Sequence, residues 1–257
     1  MPRQTGCHFW DFDAHARKII ATVFFERGFW ATATLLWSLL RGSTVAQELH
    51  SYKGTDFIGK TREGKYKFFY INFWKPLRRI NGEAWRLKIT GLCESPQSFT
   101  LEQIKSINPK TQSSRMKCVE CWSARASWSG FAVRELEEIV KPLPQARGIL
   151  FHCGDDYKEY LSRKDLNQDR VILAHSMNGH PLSDGHGFPL RLIAPSKYSY
   201  KNPKAILEME YVSEHQAGTW SKIGPYSPDG TILPGTDHPL ELGKEPRRIS
   251  GGEITNY

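Results

Sequence analysis

Cysteine is scarce in this 257-residue chain: five residues, at positions 7, 93, 118, 121 and 153. So few, so unevenly spaced, exclude a disulfide framework standing in for a hydrophobic core. Cys118 and Cys121 have C-x-x-C spacing, but no second C-x-x-C follows to complete a four-ligand zinc site. The strand-to-helix setting of a thioredoxin-like dithiol is missing as well. Long apolar runs are also lacking. Phe29–Leu40 is an uncharged run of 12 residues, short of the roughly 20 that a membrane-crossing helix needs. The chain has no internal repeats and no low-complexity segment. The net charge is +8, yet no contiguous Lys/Arg stripe with interleaved aromatics marks a nucleic-acid surface.

What is present describes a globular domain. Hydrophobic residues at 39% and charged residues at 24% are ordinary for one large buried core. Alternation in Trp85, Leu87 and Ile89 predicts a half-buried strand. Thr100 to Gln103 carries a capping box opening a helix, and Val133, Leu136 and Val140 share one face of another, after a turn at Gly130. Buried strands are expected at 148–151 and 171–174. Leu190, Leu192 and Ala194 face one way in a further strand. Ala205, Leu207, Met209 and Tyr211 are expected to face inward in the next. Beyond Trp220, prolines 225, 228, 234, 239 and 246 break any long element. Many short strands with few short helices imply an α+β class, mostly β.

The run Phe29–Leu40 fits the apolar core of a signal peptide, with Arg27 before it and Thr44-Val45-Ala46 as a small-residue cleavage site. It fits a buried or surface-lying helix too. The organisation expected is therefore a signal-like or anchor-like segment at 1–46 and one domain at 47–257.

Three segments carry a family likeness: Arg115-Met116-Lys117-Cys118-Val119-Glu120-Cys121-Trp122 with the nearby Trp128-Ser129-Gly130-Phe131; Asp184-Gly185-His186-Gly187-Phe188-Pro189-Leu190-Arg191-Leu192; and Lys197-Tyr198-Ser199-Tyr200-Lys201-Asn202-Pro203-Lys204. Together they resemble the molybdopterin-binding domain of the sulfite oxidase family, above all its periplasmic methionine sulfoxide reductase branch. The likeness spans about residues 72–220, with a weaker echo at Thr236-Asp237-His238-Pro239. It implies the single-domain sulfite-oxidase-type fold and a molybdenum-molybdopterin cofactor. Family members are exported behind a twin-arginine signal. Here Glu26-Arg27-Gly28-Phe29 keeps the second arginine and the phenylalanine but has glutamate for the first arginine.

The resemblance assigns roles residue by residue. Cys118 falls on the metal-ligand position, where a soft thiolate suits molybdenum, and Lys117 beside it favours the thiolate. His186, Arg191, Asn202, Pro203 and Lys204 fall on the pterin side, Arg191 and Lys204 offering charge to its phosphate. Asn72 matches an early cofactor-binding asparagine, with Lys75 and Pro76 near further contacts. Cys153 stands where the reductase branch has threonine, and His186 where that branch has asparagine and sulfite oxidases have histidine. Glu120, two residues past the ligand, suits a proton donor and equally a partner for a nearby Lys or Arg. Arg125 adds a cation the reductase branch lacks. It either draws an anionic substrate or pairs with Glu120.

The implied activity is oxygen-atom transfer at sulfur, reducing sulfoxides. Oxidation of sulfite or another small oxyanion is the alternative, and a basic polyanion-binding protein the alternative outside enzymes. A separate electron-transfer protein, a membrane haem protein or soluble cytochrome, is the expected partner. The chain is expected to act as a monomer without nucleic acid, in the periplasm if 1–46 is a signal and in the cytoplasm otherwise.

Overall fold

The computed structural model describes residue 69 and residues 71–119, 123–224 and 226–233, with the backbone of 236–237 and 247–248. The expectations for residues 1–46, Glu120 and Cys121 lie outside the described residues. None of the helices among the described residues is long and apolar enough to cross a membrane.

Leu87 and Ile89 point inward from β1 (Arg86–Gly91), as their alternation requires. After β2 (Gln97–Thr100), α1 (Leu101–Ser106) opens on the full capping box. The Thr100 hydroxyl accepts from the Gln103 amide, and the Gln103 side chain accepts from the Thr100 amide, satisfying two donors that the first helical turn leaves open. A hairpin of β3 (Lys110–Lys117) and β4 (Ser123–Ala132) leads into α2 (Val133–Val140), which buries Val133, Leu136 and Val140. Then follow β5 (Gly148–Cys153), β6 (Lys158–Ser162), α3 (Arg163–Leu166), β7 (Ile172–Met177), β8 (His180–Pro181) and β9 (Arg191–Ile193). A 3-10 turn (Ser199–Lys201), β10 (Ile206–Val212), α4 (Thr219–Ile223), β11 (Thr236–Asp237) and β12 (Arg247–Arg248) complete the order.

Two five-stranded sheets result. One runs β2-β1-β10-β5-β6, with β1 and β10 parallel. The other runs β3-β4-β7-β8, with β9 paired to β7. The larger core joins Leu87, Ile89 and Phe151 of the first sheet to Phe131, Leu173 and Leu192 of the second. A smaller core sits on the other face of the second sheet, where Met116, Ala124, Ala126, Trp128 and Ala174 lie together. That face becomes the floor of the site described below.

Two expectations are corrected. Gly130 is no turn: it lies within β4 opposite Ala174, where a Cβ would stand 1.9 Å from the Leu173 carbonyl oxygen. Only glycine lets the strands close there. In β10, Leu207 is 37% exposed while Ile206 is fully buried. The register of β10 against β5 shifts between Ile206 and Glu208, and this local irregularity turns Leu207 outward, while Ala205, Met209 and Tyr211 are buried as expected.

Candidate active site

One cleft is lined by the end of β3, β9 with the adjoining 199–204 segment, residues 71–74, the turns carrying Asp155 and His186, and α4 with Tyr226. Cys118 leaves β3 directly after Lys117 and lines the cleft while itself buried, packed in the smaller core with Met116 and Trp128. The lining also includes Asn72, His186, Arg191, Asn202, Pro203 and Lys204. Segments 46 to 86 residues apart in sequence, from Asn72 through Cys118 to Lys204, thus converge on one opening.

Backbone pairing explains how the two cations meet. Arg191 pairs with Ala174 across β9 and β7, which sets its side chain on the floor face with Met116 and Trp128. An antiparallel bridge then places Lys204 opposite Arg191. Arg191 Nη1 donates to the His186 carbonyl at 2.9 Å, Nη2 lies 3.4 Å from Met116 Sδ, and the guanidinium stacks 5.1 Å above the Trp128 ring. Its Nε is buried with no hydrogen-bond partner among the described residues. Lys204 Nζ donates to the Gly185 carbonyl at 3.0 Å and lies 3.6 Å over the Phe73 ring. Neither cation has a carboxylate within 4.0 Å among the described residues. Burial, and Arg191 alongside, push the Lys204 ammonium down to about 7, against the pull of Asp155 and Cys153. Burial takes Arg191 down to about 10. Two desolvated cations side by side repel, and an anion between them would reverse both penalties.

His186 is buried edge-on to Phe69, with ring centroids 5.3 Å apart. Burial, then Arg191 and Lys204, push it down to about 3, so its imidazole is neutral at neutral pH. Asn202 serves its own loop: Oδ1 accepts from the Ala194 amide at 2.6 Å and Nδ2 donates to the Tyr198 carbonyl at 3.1 Å. Its carboxamide closes residues 194–202 into the shape that presents Lys204.

Not every expected residue reaches the cleft. Lys75 is exposed and pairs with Asp156 at 2.7 Å, and Pro76 beside it is also exposed. Cys153 is a buried thiol near Lys204, and burial first, then Asp155, pushes it well above the ordinary thiol range, so it stays a neutral S–H. Arg125 pairs with Arg115 across β3 and β4. Strand alternation therefore puts it on the face opposite Met116, Ala124 and Trp128. There it donates to the Ser113 carbonyl, and burial with Arg115 and Arg170 nearby lowers its affinity for its proton. Lys117, on that same face, stands 5.9 Å over the Tyr198 ring.

The structure adds residues that sequence reasoning missed. Asp155 lines the cleft, buried, and accepts from the Trp74 amide at 2.8 Å, fixing the 71–74 segment to the turn after β5. Burial raises its carboxyl above the usual range. Trp74, Trp220, Tyr226 and Tyr200 form a continuous aromatic wall, with successive centroids 5.4, 5.2 and 5.2 Å apart. The sequence signals were present in the tryptophans at 74 and 220, but nothing in their spacing, 146 residues apart, announces contact.

The family model for the oxidoreductase molybdopterin-binding domain matches residues 74–220, more than half of the chain and all of this cleft's β-strand framework. The chain belongs to that family. The molybdopterin-binding domain is similar to the protein-methionine-sulfoxide reductase catalytic subunit MsrP of Xanthomonas campestris pv. campestris, 29% identical over 195 residues. That match covers 69% of this chain and 61% of the relative, so the chain spans about three fifths of its length. The MsrP of Campylobacter jejuni is 28% identical over 238 residues, covering 79% of each chain. Among solved structures, the sulfane dehydrogenase SoxCD of Paracoccus pantotrophus superposes with a TM-score of 0.52 at 18% identity, over 58% of this chain and 42% of that one. This likeness shows the fold, and the expected sulfite-oxidase-type α+β architecture, mostly β, holds.

The cofactor of this molybdopterin-binding domain is molybdenum carried by molybdopterin. The residues present fit it. The pterin's phosphate needs charged donors, and Arg191 and Lys204 are two buried cations whose attraction no described carboxylate takes up at contact distance. Cys118 supplies a thiol at the same opening.

Proposed function

We propose that this chain is a molybdenum-molybdopterin oxidoreductase that reduces sulfoxides of the methionine sulfoxide kind, with Cys118 as the protein's metal ligand. The observation that carries the reading is the division of the cleft. Arg191 and Lys204 are the Lys and Arg side chains that line it among the described residues, and this reading assigns both to the cofactor's phosphate. The rest of the lining is largely aromatic and carries no further Lys or Arg among the described residues but does carry the carboxyl of Asp155, which suits a neutral sulfur group with apolar substituents better than an oxyanion. The relatives' printed name, methionine-sulfoxide reductase catalytic subunit, supports the same substrate.

When bound, the cofactor supplies two-electron oxygen-atom transfer at sulfur. The chain's residues hold and screen it. Arg191 and Lys204 bind the phosphate, neutral His186 lines the cleft edge-on to Phe69 without adding charge, and Asp155 anchors the entry segment that carries Asn72 and Trp74. Reduction of a sulfoxide takes up two protons and two electrons and releases water, so a proton donor is required. Glu120 is the residue proposed for it. The electrons come from a separate protein, a membrane haem protein or soluble cytochrome. The position of Arg125 behind the sheet favours a role in the β3–β4 hairpin over one in attracting substrate.

Steady-state kinetics with methionine sulfoxide and with sulfite test this. Glu120→Gln is expected to depress sulfoxide reduction by about 10²–10⁴-fold at neutral pH, the usual worth of general acid catalysis, while Arg125→Ala changes it little. Sulfite turnover exceeding sulfoxide turnover, with Arg125→Ala raising the KM for sulfite, would overturn the assignment in favour of the oxyanion reading. Metal analysis of the purified protein separates both from a polyanion-binding module, which would carry no stoichiometric molybdenum.

The segment 1–46 is proposed to be a signal, with the mature protein beginning near Gln47 in the periplasm. The uncharged run Phe29–Leu40 and the small residues ending at Ala46 support it. Mass spectrometry of the active protein from its native host is expected to find residues 1–46 removed. An intact N-terminus there would rule the proposal out.

A further inference from the structure

Glu159 and Lys201 form a buried ion pair that the activity proposed above does not use. Glu159 is 0% and Lys201 2% exposed, with Nζ 2.5 Å from Oε1. All three Lys201 protons are engaged, the other two by the Tyr160 and Pro228 carbonyls at 2.7 and 2.8 Å. Glu159 Oε1 also accepts from the Tyr160 amide at 3.0 Å. Its Oε2 lies 2.9 Å from the Tyr157 hydroxyl, which stands 2.7 Å from the Tyr200 carbonyl. At Gly218, ahead of α4, an added Cβ would meet this carboxylate at 2.3 Å.

The pair therefore stands where several segments meet: β6, the 199–204 segment, the 227–230 loop and the turn that launches α4. We propose that Glu159 and Lys201 are positioning residues for the anion-binding end of the cleft. By pinning the chain three residues before Lys204, they set where the Lys204 ammonium points relative to Arg191. A pair kept only for stability would be an expensive choice, since two charges taken out of water rarely outperform apolar packing. Its placement beside the phosphate-binding strand gives that desolvation a use.

The inference rests on the reading that Arg191 and Lys204 hold the cofactor's phosphate, and the test separates the two. The cofactor-loaded full chain is compared as wild type, Lys201→Met, Glu159→Gln, Lys204→Met and Arg163→Met. Arg163 makes a two-pronged pair with the buried Glu137 at 2.7 and 2.9 Å and is itself 29% exposed; neither residue lines the cleft, so Arg163→Met controls for loss of a half-buried ion pair elsewhere in the fold. The rate of pterin release is followed by pterin fluorescence in urea too dilute to unfold the chain, with circular dichroism reporting the fold. Lys201→Met and Glu159→Gln are expected to release the cofactor about tenfold faster, equivalent to about 1.4 kcal/mol, while Arg163→Met releases it at the wild-type rate despite a lowered melting temperature. Should Lys201→Met not fold, Glu159→Gln, which keeps volume and hydrogen-bonding capacity, carries the comparison. A variant with native circular dichroism that never loads cofactor, while Arg163→Met loads fully, counts in favour. Release from Lys201→Met and Glu159→Gln no faster than from Arg163→Met would overturn the positioning role. A wild-type rate in Lys204→Met would instead overturn the phosphate reading beneath it.

Discussion

Cys118→Ser is expected to bring turnover to background and to remove the thiolate-to-molybdenum charge-transfer absorption, while Cys121→Ser leaves both largely in place. A serine hydroxyl is a hard, poorly ionised donor where a soft thiolate is wanted. Cys118 is the thiol that lines the cleft among the described residues, next to the floor face that carries Arg191. The substitution removes one sulfur and keeps the volume, and Arg191 and Lys204 are untouched. Pterin content is therefore expected to stay close to stoichiometric. Electronic absorption and metal analysis on the same samples check this. Equal loss of both signals in Cys118→Ser and Cys121→Ser would point to a dithiol centre.

The next largest effect is expected at Lys204 and Arg191. Losing one charge-assisted hydrogen bond costs about 1.5–3 kcal/mol, so Lys204→Met and Arg191→Met should each weaken cofactor retention roughly ten- to a hundredfold, read as pterin and molybdenum per chain after dialysis. Lys204 also leaves a pH signature. Its ammonium titrates near 7 in the fold instead of at its ordinary value of 10.5, so between those values the unfolded chain binds the extra proton. The penalty for burying the charge is complete below about pH 7 and falls away as the pH rises toward 10.5. Cofactor-free protein should thus gain stability over Lys204→Met across that window in urea melts. With the phosphate bound, the ammonium is held charged and the gain should vanish. Parallel profiles for the two cofactor-free proteins would show that Lys204 is not the strained cation.

Much of the site was legible because its chemistry is concentrated in short segments. Cys118, His186, Arg191 and Lys204 lie in runs whose residue types match one family's cofactor contacts in register, and the structure brings all four to one cleft. The capping box at Thr100 and the apolar face of α2 were equally readable, since both depend on contacts three or four residues apart. The β3–β4 hairpin that delivers Cys118 was not readable. In β3 Ser114 and Arg115 are buried on opposite faces, so no alternation marks that strand, and in β4 the alternation of Ala124, Ala126 and Trp128 with Arg125, Ser127 and Ser129 rests largely on alanines, which carry little strand signal.

Other features belong to tertiary structure alone. Arg125 is seven residues from Cys118 in sequence, yet a strand's two-residue period turns it to the far side of the sheet. Leu207 is apolar and exposed because a local register shift, invisible in residue types, turns that position outward while Met209 and Tyr211 stay buried. The Asp155–Trp74 bond, the Trp74–Trp220 contact of the aromatic wall and the Glu159–Lys201 pair arise from chain crossings 42 to 146 residues apart. The sequence by itself determined which groups can bind an anion and a soft metal, because that is a property of side-chain chemistry. Only the folded chain decided which of them share one desolvated space, because burial and proximity are set by strand pairing between distant segments.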